Sequence, residues 1–316
     1  MPIEREELPV DILFVGAGPA CLTSALHLKK QLTAMGREDV EIAVIEKAQT
    51  VGSHILSGAV VDPRPLVELL GEDWRDSGLP VESWVDQEEV RHLSTTGALR
   101  IPVPPMLKNH GFPVISLSEM VTWLKDRCEE AEVMVFEGFP GHQFLHDAKG
   151  HIAGVRTMDK GLDASGNPGP GFEPGADISA KCTVLGEGVR GSLTRQLIDE
   201  QKLQGRNPQI YGTGGKELWK LPEGRFPAGK VLHTSGWPLS STQYGGSWIY
   251  GLSGDRVSIG FVTALDAQQP WTDPWENFQR WKQHPFIAEI LEGGEILKAG
   301  AKCLPEGGYW SRPRPW

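Results

Sequence analysis

Two uninterrupted apolar runs open the chain. "VDILFV", residues 10–15, and "EIAVIEK", residues 41–47, read as strands buried on both faces, because neither alternates with polar residues. Between them "CLTSALHLKKQLTAMG" spaces its apolar residues as one face of a helix does, and a glycine closes it. Strand, glycine turn, helix and strand make a βαβ unit, the opening of an α/β fold. A second helix is predicted over residues 116–131, "SLSEMVTWLKDRCEEA", capped by Ser116 or Ser118, with a strand in the "EVMVFEGF" that follows. "HIAGVRTM" and "ISAKCTVLGEG" are predicted strands joined across a glycine-rich turn as a hairpin. The stretch after Lys47, with "VGSHILSGAVVDPRP", a short apolar "LVELL" and "PVPPMLKNHGFP", is too irregular for the interior of a sheet. From about residue 205 the pattern changes to short alternating strands and turns, including "KVLHTSGWPL", "GGSWIYGL" and "DRVSIGFVTAL". An antiparallel sheet grafted onto the first fold is expected there, followed by a helix, "PWENFQRWKQHP", and an irregular tail.

Composition narrows the partners more than the fold. The 316 residues are 39% apolar and 23% charged, ordinary for a globular protein. A net charge of -10 with no long Lys/Arg run argues against nucleic acid and favours a basic protein partner. Cys21, Cys128, Cys182 and Cys303 are scattered without a C-x-x-C pair, so no disulfide framework, zinc site or iron–sulfur site is read from them. The acidic start runs straight into a strand, unlike a targeting peptide, and no apolar run approaches the ~18 residues of a membrane-spanning helix. Eleven tryptophans leave room for a membrane-surface role for some of them.

The chemistry concentrates at the first turn, "GAGPAC". Gly16 and Gly18 stand where a dinucleotide fingerprint needs them, for the tight turn and for close approach of the pyrophosphate. Cys21 replaces the third small residue, which serves only helix–strand packing, so it is expected to strain packing without blocking a phosphate. Glu46 ends the second strand, where a carboxylate accepts from both ribose hydroxyls and repels a 2′-phosphate. A second strand-to-helix turn, "VLGEGVRGSLTRQL", carries Gly186 and Gly188. Two such turns suit a long dinucleotide such as FAD, which needs backbone amides in more than one place. Read unaided, Gly245-Gly246 is a hairpin turn, and His54, His233 and Lys216 are more readily structural or solvated than proton donors.

"GAGPA", "EKAQTVGSHILSGAVVDP", "GEGVRGSLT", "YGTGGKELW", "HTSGWPL", "YGGSWIY", "FQRWKQHP" and "LEGGEILKAGAKCLPEGG" come in that order. Together they resemble the electron transfer flavoprotein–ubiquinone oxidoreductase family from about residue 10 to residue 311. The resemblance implies a glutathione-reductase-like, Rossmann-type FAD domain and an antiparallel-sheet domain that holds ubiquinone. FAD would be held by Gly16, Gly18, Pro19, Ala20, Glu46, Lys47, Ser57, Gly58 and Gly188, and ubiquinone by Gly245 and Gly246. It also implies that the stretch "GSHILSGAVVDPRPLVELLGED" dips into a membrane, and that electrons pass from electron transfer flavoprotein to ubiquinone. A peripheral place follows, on the cytoplasmic face of a bacterial inner membrane or on the mitochondrial inner membrane in eukaryotic relatives. The expected layout is a βαβ unit over 1–51, a membrane-contacting insertion over 52–113, the FAD domain continued over 114–204 and a quinone domain over 205–316. In the family a [4Fe–4S] cluster lies in a C-terminal part, so this sequence is expected to be an N-terminal portion. The flavin would carry the redox chemistry, and no catalytic acid, base, nucleophile or metal ligand is expected. Other readings of the same turns are a flavin monooxygenase, a geranylgeranyl-reductase-like enzyme, or a fragment without stable FAD.

Overall fold

The computed structural model describes residues 3–56 and 58–314. In chain order the elements begin with β1 (Glu7–Val15), α1 (Pro19–Ala34) and β2 (Ile42–Glu46). Next come β3 (Ala59–Val60), α2 (Arg64–Leu70), β4 (Ser83–Trp84), β5 (Gln87–Leu93), β6 (Ala98–Ile101) and β7 (Pro113–Ile115). The chain continues through α3 (Leu117–Glu130), β8 (Met134–Glu137), β9 (Gly141–His146), β10 (Ile152–Thr157), β11 (Lys160–Leu162), β12 (Pro168–Glu173), β13 (Asp177–Leu185) and α4 (Ser192–Glu200). It closes with β14 (Tyr211–Lys220), β15 (Lys230–Gly236), β16 (Gly245–Leu252), β17 (Arg256–Ala264), α5 (Pro274–Lys282), α6 (Pro285–Leu291) and β18 (Glu295–Pro305). Two compact units result: residues up to Ile55 with Ser118–Leu203, and Leu56–Leu117 with the residues from Gln204 onward.

The first unit is built on a six-stranded sheet in the order β8-β2-β1-β13-β10-β9. Its β8, β2, β1 and β13 are parallel, which explains the unbroken apolar runs: helices and loops cover both faces of such strands. Leu13 and Val15 of β1 join Phe144, Val155, Ile178 and Leu193 in one core cluster. The sulfur of Cys128 on α3 lies 3.4 Å from the Leu22 carbonyl of α1, so the two predicted helices pack together. β10 pairs antiparallel with β13 through Gly154–Ser179, as expected, but the connection read as a glycine-rich turn carries a second ladder, β11 with β12.

The second unit is a seven-stranded sheet, order β18-β14-β17-β16-β15-β5-β6, antiparallel except for β15 with β5. Two expectations are corrected here. The stretch read as too irregular for a sheet interior supplies β5, which lies between β15 and β6, because "QEEVRHL" alternates with charges that masked it as loop. The stretch read as an irregular tail contains β18, the sheet's longest strand at 11 residues, exposed along most of its length and so lacking an apolar signature. α5 and α6 cover one face, where Phe278, Trp281, Ile287 and Leu291 pack against Leu232, Ile249, Ile259 and Phe261. Asp273 starts α5 by accepting from the amides of Trp275 and Glu276. A three-stranded sheet, β3-β7-β4, forms a separate ladder, and Val60, Val85 and Val114 pack with Val231, Tyr250 and Leu252.

Candidate functional site

β1 ends at Val15 and α1 starts at Pro19, so Gly16, Ala17 and Gly18 turn the chain. Gly16 has φ +101°, and a Cβ there would lie 2.6 Å from the Gly186 carbonyl oxygen, so a side chain is excluded twice over. Gly18 is unlike it: a Cβ would meet nothing within 4 Å. No side chain caps α1 and its first turn holds no acidic residue, so its amide donors and positive dipole end face an open approach. Pro19 occupies the first helical position, where its missing N–H costs nothing, and the exposed Ala20 keeps the approach narrow-sided.

Glu46 is tied to this turn from below. Its Oε2 accepts from the Ala17 amide at 2.9 Å and its Oε1 from the Ala48 amide at 2.8 Å. Each carboxylate oxygen keeps a further lone pair, which is what a pair of ribose hydroxyls requires. Lys47 beside it is exposed.

The second turn is filled differently. Glu187 reaches the start of α4, where its carboxylate accepts from the Leu193 amide (3.3 Å), the Thr194 amide (2.7 Å) and the Thr194 hydroxyl (2.8 Å). Those amides are therefore taken, and the second set of donors expected for a ligand reduces to the exposed turn around Gly188. Cys21 packs between the turns: a Cβ at residue 186 would lie 2.2 Å from its sulfur. Glycine at 186 thus makes the room that the third fingerprint position has lost, and the expected packing strain is relieved by a partner 165 residues away. Burial, with the charges of Glu187 and Glu46 next, pushes the Cys21 thiol up to about 11.

In the second unit Gly245 and Gly246 are not a hairpin turn. They open β16 in the middle of the sheet, opposite Thr263 and Val262 of β17. Gly245 has φ +153°, and a Cβ there would lie 2.2 Å from the Val262 carbonyl oxygen, so the strand pairing itself demands glycine. A Cβ at Gly246 would meet the Thr234 carbonyl, at 2.9 Å, and among the described residues no side chain comes within 4 Å of that position. Register places Lys216, Gly260, Trp248 and His233 in one row across β14, β17, β16 and β15, on the face away from α5 and α6. Trp248 lies across Gly260, where a Cβ would be 2.2 Å from its ring. Lys216 Nζ donates to the Gly58 carbonyl at 2.5 Å and sits 5.5 Å from the Trp248 ring centroid. Burial lowers the Lys216 ammonium to about 8 and His233 to about 4, and raises Tyr250, 3.2 Å from His233 Nε2, to about 12. Sequence reasoning set Lys216 and His233 aside; the register that joins them to Gly246 appears only once the strands are paired. His54 is exposed, and Ser57 lies outside the described residues.

The fold is the glutathione-reductase-like α/β fold of FAD-dependent oxidoreductases and halogenases, joined to an antiparallel sheet. A geranylgeranyl bacteriochlorophyll reductase-like protein of Thermoplasma acidophilum superposes with TM-score 0.69 at 14% identity, covering 95% of this chain and 67% of that one. The myxobacterial chondrochloren halogenase, an FAD-dependent halogenase, gives TM-score 0.63 at 16% identity, with 94% and 64% covered. The family model described as "ETF-QO, ubiquinone-binding" matches residues 211–304. The mitochondrial electron transfer flavoprotein–ubiquinone oxidoreductase of Oryza sativa subsp. japonica is 41% identical over 315 residues, 98% of this chain and 54% of the relative. That of Sus scrofa is 40% identical over 319 residues (99% and 51%), and a probable bacterial one from Acinetobacter baylyi is 39% identical over 318 (99% and 56%). Over almost its whole length the chain is similar to electron transfer flavoprotein–ubiquinone oxidoreductases, and it spans about half the length of these relatives.

Proposed function

We propose that this chain is the FAD- and quinone-binding portion of an electron transfer flavoprotein–ubiquinone oxidoreductase. The observation that carries the reading is identity near 40% that runs through both units, over 98% of the chain in the rice relative. Gly16, Gly18, Pro19 and Ala20 would admit the pyrophosphate of FAD to the α1 N-terminus, and Glu46 with Lys47 would hold the adenosine ribose. Ser57, Gly58 and Gly188 are assigned to the cofactor on the family resemblance. The uncapped helix and the open space over Gly18 fit this group, whereas an acidic Glu46 disfavours a 2′-phosphate. FAD, when bound, supplies the one- and two-electron chemistry. The protein would position it, and no acid, base or nucleophile is assigned.

Ubiquinone is assigned to the sheet face at Gly245 and Gly246, electron transfer flavoprotein to the role of donor, and a membrane surface to the quinone's source. Among the described residues no helix is long and apolar enough to cross a membrane. α2 buries Leu66 and Leu69 in its own unit, so these two side chains are packed against protein. Among the described residues, Trp84, Leu99 and Met106, 40%, 69% and 78% exposed, are the exposed large apolar side chains of the 52–113 region that could meet lipid. A peripheral place on the cytoplasmic face of a bacterial inner membrane, or its mitochondrial counterpart, is the matching location.

The test is anaerobic. The chain is loaded with FAD, reduced, and mixed with decylubiquinone while flavin absorbance is followed. Reoxidation by the quinone, slowed by Gly246→Trp with the flavin spectrum intact, is the expected result. A loaded chain that stays reduced in excess quinone would overturn the reading.

A further inference from the structure

Lys216 and Glu217 are neighbours in β14 and point to opposite faces of its sheet. Glu217 is 2% exposed and fully engaged: Lys282 Nζ donates to its two oxygens at 2.8 and 2.9 Å, and Trp219 Nε1 donates at 2.8 Å. Lys216 has no such partner. Among the described residues no carboxylate lies within ion-pair range of it, and its one hydrogen bond is to the Gly58 carbonyl. An ammonium offers three donors, so two remain. The Trp248 ring gives a weak electrostatic substitute for a counter-charge. A cation held in such surroundings is destabilising for the fold alone, and proteins keep such groups chiefly where a ligand meets them.

What lies beside it is flat. Gly214 and Gly246 flank Val262 in the next row of the same face, and no side chain approaches the Cβ position of either closer than the 3.5 Å of Val262. Trp248 borders this floor on the Lys216 side. We propose that Lys216 is the polar anchor of a planar-ring site on this face, donating from its ammonium to a ring oxygen of a conjugated dicarbonyl, quinone or isoalloxazine, that lies against Gly246. The proposal rests on the functional reading given above and deepens it by naming the donor. Its pH dependence is set by Lys216 itself. His233 on β15 and Tyr250 on β16 stay neutral between pH 7 and 9, since burial holds one at about 4 and the other at about 12. The other charged or titratable groups that strand register places on this face, among the described residues, are Lys302, Lys298 and Glu295 on β18, Lys220 on β14, Arg256 on β17 and Glu88 and His92 on β5.

The experiment titrates the full chain, Lys216→Met and Lys216→Arg with decylubiquinone, read by tryptophan fluorescence, and separately with FAD, read by absorbance, across pH 6.5 to about 9.5. Wild-type affinity for one of the two probes should fall as pH rises through about 8, where the ammonium deprotonates. Lys216→Met should bind that probe roughly tenfold or more weakly and without pH dependence, the loss expected of one charge-assisted hydrogen bond. Lys216→Arg should bind with no fall-off, since guanidinium stays charged. If decylubiquinone is the probe affected, the acceptor is the quinone; if FAD is affected, with a shifted flavin spectrum, it is the isoalloxazine. Either result supports the proposal. Wild type and Lys216→Met indistinguishable toward both probes would overturn it and leave the functional reading standing. A wild-type chain that binds neither probe would overturn the functional reading first and the proposal with it. Should Lys216→Met fail to fold, the wild-type profile decides: affinity flat through pH 8 for both probes sinks the idea.

Discussion

The two glycine turns of the first unit look alike in sequence and do different work. Both deliver a strand into a helix through a G-x-G, yet α1 begins without a side-chain cap while α4 begins under the carboxylate of Glu187. A helix N-terminus attracts whatever anion is nearest, and at α4 the chain has supplied its own. At α1 the corresponding carboxylate, Glu46, binds the backbone on either side of the turn instead, through Ala17 and Ala48, leaving the helix start open. The difference separates a turn whose helix start is left uncapped from one whose helix start is already filled by a carboxylate, which the G-x-G pattern cannot do.

The largest effect expected from breaking this contrast is at Gly18. A Cβ there has nothing within 4 Å, so a valine should let the chain fold, but FAD affinity should fall at least about 100-fold, ~3 kcal/mol, as the side chain occupies the pyrophosphate's approach. Equilibrium dialysis with FAD, beside a thermal melt matching wild type, checks both halves. Gly186→Ala should do the converse. Its Cβ would lie 2.2 Å from the Cys21 sulfur. It should therefore destabilise the chain by ~1–3 kcal/mol through overpacking. The same substitution in a Cys21→Ala background should lose less, and a double-mutant cycle in urea measures that coupling.

Glu187→Ala sharpens the comparison further. Removing the α4 cap should lower stability by ~1 kcal/mol, visible as a shifted urea midpoint. FAD affinity should change less than tenfold, because α1 carries the pyrophosphate in this account. The smallest effect concerns reactivity. Cys21 and Cys128 are buried and their thiols are pushed up to about 11 and about 12, whereas Cys182 and Cys303 are exposed. Iodoacetamide on the native chain, followed by peptide mass spectrometry, should label Cys182 and Cys303 and spare the other two.

Local rules made the βαβ unit legible, because a parallel strand buried on both faces and a glycine turn each declare themselves within a few residues. Gly16 in the turn and Glu46 at the end of the second strand were located in this way. What stayed hidden depends on pairing across the chain. Gly186 makes room for Cys21 from 165 positions away. β5 is half charged and reads as loop until β15 and β6 flank it. Gly245 reads as a turn because two adjacent glycines usually are one, and only the approach of the Val262 carbonyl explains it otherwise. Lys216 carries no local mark at all; its setting, with a carbonyl and a ring but no carboxylate beside it among the described residues, belongs to the face it shares with Trp248 and Gly246.

The central claim, that the open turn at Gly16 to Gly18 takes FAD, is tested most directly by the nucleotide the chain holds. The purified protein, after incubation with an equimolar mixture of FAD, NAD and NADP and removal of free ligand, is heat-denatured and the released nucleotide identified by mass spectrometry. The account predicts FAD, with flavin absorbance in the folded protein and little or none after Gly18→Val. Release of NAD or NADP alone, or equal FAD from the wild type and the Gly18→Val variant, would contradict it.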